Sequence, residues 1–230
     1  MDPKELAKLS LELIQDNRID EIIPLIVDQF QEDKDKLKAL IQTQIQMKEI
    51  GGGYPPVGKQ IRTIKEIITF TEIATKFALE KDNKLSAGIL YHNLASFCFP
   101  NMDEGVDEKL IQPGFEAAVK DFEIRIEIGE KNPLLWAKWL VGVIEFIKGD
   151  VKNSINTLEK TAKLAKEEPV NFGIEAWSEM MIVKFQLKSG LLKKKQALKK
   201  IEEIKLILEK EEDNYGLNSL EEIRKNYLEV

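Results

Sequence analysis

The sequence predicts an all-α chain of antiparallel helical hairpins stacked side by side as an α-α solenoid. Three observations predict it. Apolar residues recur at helical spacing in almost every segment, as in Trp136, Trp139, Leu140 and Val143 at i, i+3, i+4 and i+7. Most links between such segments are short, which makes neighbouring helices antiparallel. Similar residues also return after 36 positions: Val119 and Ile155, Phe122 and Leu158, Pro133 and Pro169. Self-similarity of that period marks copies of one helical hairpin. A single hairpin cannot bury its own apolar face, so the copies must share a continuous core.

Each element has a local reason. Asp2-Pro3 opens the first helix, because proline is tolerated in a first turn, and Leu6, Leu9, Leu11 and Ile14 form its apolar stripe. Asp20 is the N-cap expected for a second helix through Phe30, with Pro24 kinking its start. Residues 33–50 make a third, ended by Gly51-Gly52-Gly53-Tyr54-Pro55-Pro56, which no helix interior accommodates. Ile61, Ile64, Ile68, Ile73 and Phe77 predict a long helix from residue 58 to about 80. Asp82-Asn83 breaks it, and residues 86–98 form the next. An irregular connection begins at Phe99, longer than most helix links and therefore a candidate functional loop. Helices follow at about 114–129, 134–148, 151–166, 174–188, 191–210 and 217–227. Alternation at period two is absent.

Composition narrows the function classes. A hydrophobic share of 43% beside 32% charged residues excludes disorder as the main state. A net charge of -6 argues against bulk attraction to nucleic acid or to anionic lipid. No apolar run approaches a membrane span, and no signal peptide is expected, so the expected location is cytoplasmic. One cysteine, Cys98, and one histidine, His92, cannot build a disulfide framework or a zinc site of the usual kind. No cofactor and no metal is expected.

Residues 85 to about 210 resemble tetratricopeptide repeats, whose unit of about 34 residues pairs two helices. Tyr91-His92-Asn93-Leu94-Ala95 matches the opening of that family's first helix, and Ala118, Phe122 and Pro133 match its second. Gly149-Asp150 matches the usual turn, with Ile155, Leu158 and Pro169 continuing the pattern. Alignment on Trp136, Trp139, Leu140 and Val143 lengthens the first helix of the next unit. Trp177, Met180 and Met181 repeat the stripe, and the first unit carries an insertion between Cys98 and Gly114. The resemblance implies a right-handed superhelix with three parts in one continuous domain. These are an N-terminal helical region (1–82), the repeats (83–212) and a C-terminal capping helix (213–230).

The resemblance also implies a concave groove lined by the first helix of each repeat. It would hold Ile89, His92, Asn93 and Ser96 from one unit, then Leu134, Ala137, Val141 and Ile144, then Ser178, Ile182 and Phe185. This set leans apolar and lacks the Lys and Arg with which some tetratricopeptide proteins clamp carboxylates. It therefore suits an amphipathic helix or peptide laid along it. The expected function is a non-enzymatic scaffold or adaptor whose partner is a protein or peptide. A second copy of this chain is an admissible partner; a membrane or nucleic acid is not expected.

Other motifs carry weaker chemistry. Residues 53–59 spell G-x-x-x-x-G-K, but Gln60 replaces the magnesium-binding hydroxyl, two prolines remove N–H donors, and a helix precedes the loop. Anion capture by Gly58, Lys59 and Arg62 at the start of the next helix is what survives. Lys193, Lys194, Lys195, Lys199 and Lys200 form a basic helix face. The alternative function uses that face in a regulatory protein that binds nucleic acid or an acidic ligand, although aromatic interleaving is missing. His92 and Cys98 fall on opposite sides of one helix, which excludes a Cys–His nucleophile pair. Asp103, Glu104, Asp107 and Glu108 lack calcium-loop spacing.

Overall fold

The structure, a computed structural model, describes residues 1–167 and 173–229. Every regular element among them is helical. The contacts divide the chain into two compact units, Met1–Gly129 and Glu130–Val230. The expected division after residue 82 falls inside the first unit, and the one after residue 212 inside the second. Pro169, expected to pair with Pro133 in the repeat, lies outside the described residues.

The first unit starts with α1 (Pro3–Gln15), whose free N–H groups are met by Asp2, which accepts from Lys4 N at 2.8 Å and Glu5 N at 3.0 Å. A 3-10 turn at Ile19–Glu21 takes up Asp20, the expected cap, and leads into α2 (Ile22–Val27), shorter than expected at both ends, with Pro24 in its first turn where no N–H donor is needed. Then come α3 (Asp33–Ile50), α4 (Ile64–Glu80), α5 (Lys84–Cys98) and α6 (Glu108–Ile128). Asn83 and Asp107 cap α5 and α6 through Ser86 N and Lys109 N. Each helix from α3 to α5 packs against its successor, and α3 also meets α5. Contact with the next helix and the next but one is the packing of stacked hairpins. Phe70, Leu40, Met47, Ile67 and Leu90 fill the core at 0% exposure, each contributing about 1.5–3 kcal/mol by leaving water.

Two expected boundaries move. The long helix begins at Ile64, not residue 58: Gly58 has φ +78°, and Ile61 is buried as a loop side chain rather than on a helix face. The helix expected from residue 114 begins at Glu108 and carries Pro113 inside it, which shortens the irregular connection to 99–107. That loop and the 51–63 loop meet. Asn101 Nδ2 donates to Pro55 O at 3.1 Å and Gln60 Nε2 to Gly105 O at 3.3 Å. Gly105, at φ +63°, lies against Gly58 so closely that a Cβ there would overlap the Gly58 backbone nitrogen. Only glycine fits.

The second unit contains α7 (Lys131–Ile147), α8 (Val151–Glu167), α9 (Ile174–Lys188), α10 (Lys194–Lys210) and α11 (Asn214–Tyr227). The same rule holds: α7 packs on α8, α8 on α9, α9 on α10 and α10 on α11, while α7 meets α9 and α9 meets α11. Aromatic rings link α7, α9 and α11. Trp139 stands edge-on to Trp136 and Trp177, and Trp177 stacks on Tyr215 with centroids 5.5 Å apart. Trp177 Nε1 donates to Asp213 Oδ2 at 2.8 Å, and the same carboxylate caps α11 through Gly216 N. Trp139 and Trp177 are 8% and 6% exposed. They serve the core, as their burial preference suggests.

Candidate functional site

On α5, residues 89, 92, 93 and 96 share one stripe by their spacing, and all four are half-buried. Two of them are held in place by buried partners on opposite sides. Gln44, fully buried on α3, accepts from Asn93 Nδ2 at 3.0 Å. Its own Nε2 donates to Thr71 Oγ1 on α4 at 2.7 Å and to Leu90 O at 3.0 Å. One amide thus joins α3, α4 and α5 with its hydrogen-bonding capacity met, which is what makes a buried glutamine tolerable.

His92 is held from α6. Its Nδ1 lies 2.9 Å from Asp121 Oδ2, and Arg125 Nε donates to Asp121 Oδ1 at 2.9 Å. The Asp121 and Arg125 side chains are 1% and 7% exposed, whereas His92 keeps 35%. Gly88 makes room for this pair, since a Cβ there would sit 3.2 Å from both Arg125 Nε and Asp121 Oδ1. A carboxylate paired with arginine is an acceptor only, so the neutral imidazole carries its proton on Nδ1. Nε2 then holds the lone pair on the exposed ring. The site consists of adjacent, oriented polar groups beside Ile89 and Ser96.

The remaining expected groove residues differ. Val141 and Leu134 on α7 are half-buried. Ala137, Ile144, Ser178, Ile182 and Phe185 are at most 2% exposed. Ser178 Oγ donates to Ile174 O at 2.7 Å, and Phe185 stacks on Phe146 at 3.8 Å. In this structure those five side chains pack the protein. Gln44, Asp121 and Arg125 are the members that sequence reasoning missed. For the last two a signal existed: they continue the buried stripe of Leu110, Gly114, Ala117 and Ala118, where an i, i+4 charged pair is out of place unless mutually satisfied.

The other motifs resolve into structure. Arg62 caps the end of α3, donating through Nε to Gly51 O and through Nη2 to Ile50 O. No helix starts at Gly58, so the anion site expected there loses both its helix N-terminus and its arginine. Lys193 to Lys195 open α10, and Lys199 faces Glu203 at 3.6 Å with both side chains well exposed. Among the described residues no cluster of three or more His, Cys, Asp or Glu could hold a metal, and no helix is long and apolar enough to cross a membrane.

Cys98 is fully buried, and burial pushes its thiol up from 9.0 to about 12. It should therefore resist a disulfide reagent at about pH 8 in the native protein and react once denatured; rapid native labelling would contradict this. Because the folded thiol holds its proton more tightly than the unfolded one, its effect on stability is constant below the unfolded value. Stability then falls as pH rises from there through the folded value.

No protein-family model and no curated protein matches the sequence. Solved structures do. A Podosopora anserina protein described as a kinesin light chain with nearly identical TPR-like repeats aligns with 91% of this chain and 98% of its own, at 13% identity and a TM-score of 0.56. That match is a single-substitution variant. A second structure of the same description covers 93% and 99% at 13% identity and a TM-score of 0.55. The fold is TPR-like. TPR-like repeats in general mediate contact between proteins.

Proposed function

We propose that this chain is a non-enzymatic interaction scaffold that binds an amphipathic peptide segment of a partner protein along α5. One observation carries the reading. His92 and Asn93 are each fixed by a buried partner while remaining partly exposed. Orienting groups before binding lowers the ordering cost of association, and here two neighbouring polar groups on one half-buried stripe are oriented in this way. The apolar side of the segment meets Ile89, and its backbone or side-chain donors meet His92 Nε2 and Ser96. The cytoplasmic setting belongs to the same proposal, since a lone buried thiol needs no oxidising compartment.

The test pans a displayed random-peptide library against the whole chain and measures the recovered peptides on His92→Gln/Asn93→Ala. Affinity should fall by about tenfold or more, the worth of one or two lost hydrogen bonds, with the helical spectrum unchanged. Recovery of no peptide, or of peptides indifferent to the double substitution, would overturn the proposal.

A further inference from the structure

Between α1 and α2 lies a concavity of about 260 Å³. Its walls are the half-buried leucines Leu9, Leu13 and Leu25. Its rim holds Glu12, Asp16 and Glu21, all exposed, with Arg18. That arginine is committed to Glu21 by two parallel bonds, Nε to Oε1 at 2.8 Å and Nη2 to Oε2 at 2.7 Å. Glu12 and Asp16 are the rim's surplus negative charge. The hollow therefore fits an apolar side chain carried beside cationic ones.

This chain displays such a segment. Leu191 and Leu198 are 64% and 45% exposed, and Lys193, Lys195 and Lys199 stand exposed around them. The first turn of α10 contains no acidic residue, and no side chain caps it. Lysines at a helix N-terminus oppose the helix dipole, and nearby carboxylates relieve both. We propose that the α1–α2 concavity receives the 191–200 segment of a second copy of this chain, with leucine against leucine and lysine against Glu12 and Asp16.

Such a contact joins two different surfaces, so two copies either exchange it reciprocally about a two-fold axis or pass it on head to tail. A hollow that admits only one or two side chains gives a small interface, and small interfaces are transient. The attraction between exposed charges is screened by salt. Two surfaces of opposite charge on one molecule also allow a swap test.

Sedimentation velocity of the whole protein, at about 10–300 μM in about 50 mM and about 500 mM salt, reads the association directly. The average mass should rise with concentration in low salt, and association should weaken about tenfold or more in high salt. Glu12→Lys/Asp16→Lys should be monomeric, as should Lys195→Glu/Lys199→Glu. An equimolar mixture of the two should associate again, because each variant supplies the charge the other has lost. Wild-type protein that stays monomeric throughout would overturn the proposal. So would association that survives either reversal, or reversed variants that fail to recombine. Peptide binding at His92 and Asn93 uses other residues and stands or falls separately.

Discussion

Asp121→Ala should destabilise the protein by about 3–5 kcal/mol, the usual cost of removing one partner from a buried ion pair. The loss exceeds that of one hydrogen bond. Asp121 accepts from Arg125 and holds His92, and it is 1% exposed. Without it the guanidinium of Arg125 remains at 7% exposure with its nearest carboxylate gone. Gly88 lets α5 approach α6 at this point, so the α5–α6 contact should open first. Denaturant unfolding measures the size, and amide exchange on α5 locates it. Asp121→Asn keeps the volume and an acceptor oxygen but not the charge, so it should lose less. Equal losses in the two variants would mean that shape, not charge, is what matters there.

Phe185→Ala ranks second, at about 3–5 kcal/mol, because a fully buried ring leaves a cavity that packed neighbours fill only in part. Phe146, stacked on it at 3.8 Å, loses its partner. As an expected groove residue, Phe185 would have been predicted to change binding with stability intact. Its burial reverses that: Phe185→Leu should recover much of the loss, and any effect on binding should track the unfolding midpoint. A ring substitution that left stability within about 0.5 kcal/mol, the range for open surface positions, would show the burial to be unimportant. The same reasoning applies to Ile144→Asp, which would place a charge at a position with 0% exposure.

Helix existence was legible wherever the punctuation was chemical. Asp33–Ile50 and Ile174–Lys188 agree with expectation because glycines stand at their boundaries, Gly51 after the first and Gly173 before the second. The start of α4 was not legible. Ile61 keeps the helical spacing of Ile64 and Ile68 while its backbone lies in a loop, and spacing alone cannot separate a loop side chain turned inward from a helical one. The stripe of Ile89, His92, Asn93 and Ser96 could be placed on one face from sequence. What fixes it could not, since Gln44 is 49 residues from Asn93 and Asp121 is 29 from His92. Pairings so distant are set by how hairpins stack, which periodicity does not encode. Four of the apolar groove candidates, Ala137, Ile144, Ile182 and Phe185, are buried for a related reason: in a stacked fold an apolar helix residue packs a neighbour as readily as it lines an opening.

The meeting of Gly58 and Gly105 makes two hairpin bends, far apart in the chain, behave as one part. Neither can lengthen, shorten or gain a side chain at that spot unless its counterpart is rebuilt in the same step. Variation in this corner is thereby confined to what both segments tolerate together, and Tyr54 and Val57, at 67% and 59% exposure, are displayed on a fixed mount.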